Sequence, residues 1–327
     1  MSIVTSEISR RLLLSAAAAA PMAGLAGKRA LAAPQKLRVA KANPHALSFV
    51  PVDVGIAKGF FPDFDIEIIN FAGSGRSVQA MVAGEVDIYL GAGTDMAFIA
   101  KGAPMTAVAA LAGPPLLLCI IVPYDSPIKT ADDLRGKTFQ VSSVGSVTDW
   151  LVKKLADTKG WGPNGITTVA MGGELSTQIA ALRTHQVDAI VGTASVGYML
   201  EEKKEARILI PTASYVHDFL LHAIFSSNAF IAANPGAVRS FLKGWFQSVA
   251  YMRAHKEETV KLIYEITQVD EAVESKEYDL VMPMFSADGK FPPAGLDVIA
   301  QSFVDLKMLD AKPDMTKFLT EKYLPSA

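Results

Sequence analysis

The residues best equipped for chemistry sit in six short loops, each just after a run of β-forming residues and just before a run of helical period. They are Asn43 and His45; Gly73, Ser74, Gly75 and Arg76; Thr94 and Asp95; Ser143, Gly145 and Ser146; Gly173; and Thr193 and Ser195. His217 joins them from a less periodic segment. Glycine lets a ligand approach the backbone, small hydroxyls donate or accept hydrogen bonds, and exposed amides at a helix start favour a negative group. Arg76 adds a full positive charge whose planar fork matches a carboxylate or sulfonate. These types support noncovalent capture of a small anion. Each position also fits a plainer role: the hydroxyls and Asp95 as helix caps, Arg76 as a surface arginine, His45 as a loop or core histidine, and His217 as a tie at a connection.

Catalytic motifs do not complete. A phosphate cradle needs a glycine five positions before Gly136-Lys137-Thr138, and Ala131 stands there. Gly73-Ser74-Gly75 reaches Val78, and Gly91-Ala92-Gly93 reaches Met96, where a dinucleotide fingerprint needs its third glycine. The five histidines are scattered, and Ser195 has Thr193 where a serine elbow has glycine. No catalytic residue, metal or cofactor is expected.

Positioning such loops requires alternating strands and helices. Strands are expected at Leu37 to Lys41, Asp65 to Phe71, Val86 to Leu90 and Met105 to Leu111, separated by helices at Val52 to Phe60, Ser77 to Ala83 and Thr94 to Ala100. After the apolar stretch Leu116 to Val122 the pattern restarts. Strands at Thr138 to Val141, Ile166 to Val169, Ala189 to Val191 and Arg207 to Ile210 alternate with helices at Val147 to Thr158, Glu174 to Thr184 and Val196 to Lys204. Phe219 to Ser226 reads as a strand returning to the first unit, followed by helices from Asn234-Pro235 to about Ala254, Glu257 to Thr267 and Pro293 to Leu306. The expected fold is therefore α/β and two-lobed, two mixed sheets with flanking helices joined by two hinge crossovers. Lobe I spans residues 37–121 plus 219–327, and lobe II spans 122–218. A cleft between such lobes favours a small ligand.

The first 32 residues stand apart. Paired Arg10 and Arg11 precede an alanine-rich apolar run, Leu12 to Gly27, and Ala30-Leu31-Ala32 offers a small-x-small cleavage site, the pattern of a twin-arginine-like export signal. Its removal takes away four positive charges and one negative, moving the formal charge from −2 to −5. That balance, without clustered Lys or Arg, gives no reason to expect nucleic acid as a partner. The one cysteine, Cys119, lies in an apolar run and can form no internal disulfide.

In combination, several segments resemble the periplasmic solute-binding proteins of the nitrate/sulfonate/taurine ABC-transporter type. They are Gly59-Phe60-Phe61, Gly73-Ser74-Gly75, Gln79 through Asp87, Lys101-Gly102-Ala103-Pro104, Asp125-Ser126-Pro127-Ile128, Asp132 through Thr138, Gly145-Ser146 and Gln186-Val187-Asp188-Ala189. The resemblance runs from about residue 37 to 210. It implies a type II binding-protein fold, shared with thiamine-pyrimidine binding proteins, a periplasmic location, a monomer, a small-molecule ligand and an ABC importer permease as partner. The ligand would be a small organic anion of the sulfonate or carboxylate class. Nitrate receptors differ in carrying a long insertion or a histidine-rich pocket. The alternatives are a periplasmic sensor subunit and a pyrimidine-precursor enzyme of the same fold.

Overall fold

The computed structural model describes residues 33–44 and 46–326, so the segment expected to be an export signal and the candidate His45 lie outside the described residues. In chain order, β1 (Gln35–Lys41), α1 (Pro51–Ala57), β2 (Phe64–Asn70), α2 (Ser74–Val82), β3 (Ile88–Ala92), α3 (Met96–Ala100) and β4 (Met105–Ala112) open the first lobe. The second holds β5 (Leu118–Pro123), β6 (Thr138–Val141), α4 (Val147–Thr158), β7 (Thr167–Ala170), α5 (Leu175–Arg183), β8 (Ala189–Thr193), α6 (Ala194–Glu202) and β9 (Ala206–Pro211). The chain then returns to β10 (His222–Ser227) and continues through α7 (Asn228–Ala233), α8 (Pro235–Ala254), α9 (Lys256–Thr267), α10 (Glu271–Val281) and α11 (Pro293–Asp305).

Each lobe holds a five-stranded mixed sheet, ordered β2-β1-β3-β10-β4 in the first and β7-β6-β8-β5-β9 in the second. The two are built alike. Three strands run parallel, and the strand that enters from the other lobe, β10 or β5, pairs antiparallel with both of its neighbours. All residues of β3 and β5 are buried, as central strands covered on both faces must be. Leu118–Ile121, expected in the first lobe, pair with β8 and β9 of the second sheet. A uniformly apolar run has no period to mark where one unit ends and the next begins.

The two crossings lie side by side. The Thr212 hydroxyl in the returning segment is 3.1 Å from the Pro115 carbonyl oxygen and 3.0 Å from that of Leu118. Across the same junction the Trp150 indole on α4 stacks on Phe219, with centroids 4.8 Å apart and planes 4° from parallel. Its Nε1 donates to Asp305 on α11 at 3.1 Å.

The short α7 and the helix α10 were not expected from the sequence. α10 starts at Asp270, whose carboxylate accepts from the Ala272 amide at 2.8 Å, and buries Val273, Glu274, Glu277, Tyr278 and Val281. Two inward positions are glutamates, which hides the helical stripe from any reading that places carboxylates outside. α10 packs on α9 and also on α6, so the C-terminal segment reaches the second lobe.

Candidate functional site

Loops at the carboxyl ends of the strands converge from both lobes on one pocket of about 860 Å³, a volume that includes space open to solvent. This is where open α/β sheets collect ligands. The first lobe contributes Asn43, Gly73, Ser74 and His222 as polar lining, and the second contributes Ser142, Ser146, Thr148, Gln178 and Thr193. Phe49, Leu117, Leu118, Val147, Val191 and Val196 make much of the remaining wall apolar. No Asp, Glu, Lys or Arg is among the described lining residues. Lys41, at the end of β1, is buried and ion-paired with Asp53 on α1.

Four helices begin at this pocket, and their first-turn amides have no acceptor within the helix. α2 starts behind Gly73, whose φ of +129° is closed to side-chain-bearing residues and which supplies no side-chain cap. α5 likewise has no side-chain cap. At α4 the Ser146 hydroxyl accepts from the Asp149 amide at 3.3 Å, leaving the Val147 and Thr148 amides without a cap. α6 differs, because its donors are already used. The Ala194 amide bonds Leu117 O at 2.9 Å, the Ser195 amide bonds the Glu277 carboxylate at 3.1 Å, and the Val196 amide reaches Thr193 Oγ1 at 3.5 Å. Three helix starts, one from the first lobe and two from the second, therefore point unspent donors and the positive ends of their dipoles at the pocket.

The hydroxyls around α4 form a directed chain. Ser146 donates to Ser143 O at 2.7 Å, so its 2.9 Å contact with Thr148 must use the Thr148 hydrogen, and the 3.1 Å contact of Ser142 with Thr148 must use that of Ser142. Ser146 also accepts from the Asp149 amide and Thr148 from the Ser142 amide, so of the three only Ser142 keeps free lone pairs, and donation to a ligand falls to the backbone amides.

Behind the first-lobe wall, Asp95 accepts from the Tyr89 hydroxyl at 2.6 Å and the Ala92 amide at 2.9 Å. Burial pushes its carboxyl up to about 6, with hydrogen bonds from Tyr89, Ser74 and the Ala92 amide acting in the opposite sense. The imidazole of His222 packs on Phe49 with centroids 4.6 Å apart, and burial pushes it down to about 3.

Of the residues expected from the sequence, Asn43, Gly73, Ser74, Ser146, Gly173 and Thr193 line the pocket. Gly75 and Arg76 are exposed and lie outside its lining. Successive helical residues are about 100° apart, so Ser74 can face the pocket while Arg76 points away. Thr94 and Asp95 are buried behind the wall, and Ser195 lies beneath Thr193, with their hydroxyls 2.9 Å apart. Ser143 and Gly145 shape the loop before α4 without lining the pocket, and His217 is exposed. Sequence reasoning missed His222, Ser142, Thr148 and Gln178. Ser142 and Thr148 were legible as hydroxyls flanking Gly145-Ser146, whereas His222 begins a strand and carries no loop signal.

A family model described as NMT1/THI5 like matches residues 47–259. No curated protein sequence matches the chain. Among solved structures, the periplasmic aliphatic sulphonate binding protein of Escherichia coli is similar, with a TM-score of 0.72 at 17% identity over 88% of this chain and 97% of that one. The periplasmic nitrate-binding protein of Synechocystis PCC 6803 gives a TM-score of 0.70 at 13% identity over 89% and 87%. A desulfurization enzyme shares the fold as well, with a TM-score of 0.62 at 15% identity over 88% and 97%. At these identities the likeness is one of fold.

Proposed function

The chain belongs to the NMT1/THI5-like family, and from that premise we propose that it is an exported, monomeric solute-binding protein of the periplasm. In this reading it captures a small organic anion of the sulfonate or carboxylate class between its lobes and passes it to an ABC importer. The observation that carries the reading is the meeting of three open helix starts, from both lobes, in a pocket with no Asp, Glu, Lys or Arg among its described lining residues. Such a site is positive without a cation, and it engages a ligand fully only when both lobes contact it. The apolar walls favour an anion with a short hydrocarbon body over an inorganic ion. Capture without chemistry is supported by Cys119, the one thiol of the chain, which is buried and pushed by that burial up to about 12. The names of the sulphonate- and nitrate-binding neighbours agree with an anionic ligand and a periplasmic location.

Thermal unfolding against a panel of short sulfonates and carboxylates, with the matching alcohols and amines as controls, tests this. An anion at a hundred times its dissociation constant adds about 2.7 kcal/mol, and the amines add nothing. Stabilisation by none of the anions sinks the proposal. Export through the paired arginines is tested by replacing Arg10 and Arg11 with lysine, which should hold the precursor in the cytoplasm; normal periplasmic yield excludes the twin-arginine route.

A further inference from the structure

Among the described residues that line the pocket, one buried side-chain polar atom has no hydrogen-bond partner. His222 is 8% exposed and lines the pocket, and its Nδ1 has no hydrogen-bond partner among the described residues. In β10 it pairs with Ala92 of β3 and Ala112 of β4, alanines that leave room for the ring. Of its companions in the first-lobe wall, Ala42, Ala46, Phe49 and Ala92 are apolar, and Asn43 and Ser74 are polar but uncharged. A buried polar atom left orphaned in a native fold calls for an explanation, and a ligand atom supplies one.

The state of the ring decides which ligand atom. Burial, with no charged partner to oppose it, pushes His222 down to about 3, so near pH 7 the ring is neutral. Tyr89 and Asp95, on the adjoining strand and turn, are hydrogen-bonded to each other. Lys41 is held by Asp53. His222 therefore meets the ligand as a neutral imidazole in a wall whose described residues carry no charge, a poor partner for the anionic end and a good one for an uncharged polar group. Either tautomer at Nδ1 is satisfied by a hydroxyl, which both donates and accepts.

We propose that His222 is a specificity-determining contact that hydrogen-bonds a hydroxyl on the bound anion, making hydroxy-substituted organic anions the preferred ligands. The inference rests on the anion reading above and adds a second recognition point, separate from the helix starts.

Calorimetry with matched pairs tests it: ethanesulfonate against 2-hydroxyethanesulfonate, propionate against lactate, and butanoate against 3-hydroxybutanoate. In the wild type the hydroxylated member of at least one pair should bind about tenfold tighter or better, because a site built to bond a hydroxyl rejects the analogue lacking it. In His222→Phe that ratio should fall to about one, a comparison in which any loss of affinity common to both members of a pair cancels. His222→Asn should restore part of the ratio, and the wild-type preference should stay flat from about pH 5.5 to 8, where a histidine of ordinary pKa would titrate. If His222→Phe fails to fold, nitrogen chemical shifts of His222 in the wild type replace it, moving with the hydroxylated member and staying still with the parent. Equal affinity within every pair that binds, or a ratio that survives in His222→Phe, overturns this inference alone. If no member of any pair binds, the anion reading falls with it.

Discussion

Glu277, on a helix of the C-terminal segment, accepts a hydrogen bond at 3.1 Å from the backbone amide of Ser195, in the first turn of α6 in the other lobe. The contact is buried at both ends. It occupies the one helix start at the pocket that a ligand cannot use, and it fixes Thr193, the residue before α6, against the cleft. Burial pushes the Glu277 carboxyl up to about 7, against the pull of the Ser195 amide.

That shift sets a pH dependence of stability. An acid whose folded value is raised holds its proton more tightly in the folded state, so its burden is absent below about 4.5, grows as pH rises, and is complete above about 7. Asp95, raised to about 6, adds a slope of the same sign at lower pH. Glu277→Gln keeps an acceptor for Ser195 and removes the charge. It should equal the wild type near pH 4.5 and exceed it by roughly 3 kcal/mol at pH 8 in urea unfolding. A variant less stable than the wild type at pH 8 would show that the ionised carboxylate is a net asset.

Ser146→Ala removes both a cap and a pocket hydroxyl. Loss of the bond from the Asp149 amide should cost about 1 kcal/mol of stability. Ligand affinity should fall as well, because the chain from Ser142 through Thr148 loses its end point. A drop in melting temperature with unchanged affinity would confine Ser146 to capping.

Gly73→Ala should be costly where no side chain is crowded out. Nothing lies within 4 Å of a Cβ placed there, yet φ is +129°. The strain of that backbone, about 1 to 3 kcal/mol, should appear as lost stability or as a shifted start of α2 with weakened binding. Behaviour identical to wild type in both assays would mean that the turn adapts freely.

Arg76→Ala should do little. The residue is exposed and lies outside the pocket lining, so stability should stay within about 0.5 kcal/mol. Affinity should change about twofold or less at physiological salt, where solvent and salt weaken the field of an exposed charge that makes no pocket contact. A thirtyfold loss would return Arg76 to the binding machinery.

The fold was legible because parallel sheets write themselves as short apolar runs between helical periods, and β3, α4 and β8 all follow that pattern. The loops at the strand ends were legible for the same reason, which is why Ser74, Ser146 and Thr193 were found. What escaped was orientation and context. Two residues of helical rotation separate a pocket-facing Ser74 from an outward Arg76, and helix starts cannot be placed to one residue by pattern. α10 escaped because Glu274 and Glu277 occupy its buried face, and His222 because a lone histidine at a strand start has a meaning only once Phe49 and the cleft are beside it.

Trp150 rests on Phe219 and bonds Asp305, yet its helix begins at the pocket. Of the three tryptophans, Trp245 is buried within α8 and Trp161 lies beyond the far end of α4, so neither spans this junction. Indole emission depends on what the ring stacks on and on what its nitrogen bonds. The protein thus carries an intrinsic fluorophore at the place where the second lobe meets the first, and a change in its colour or lifetime on adding a ligand reports motion there without an attached label.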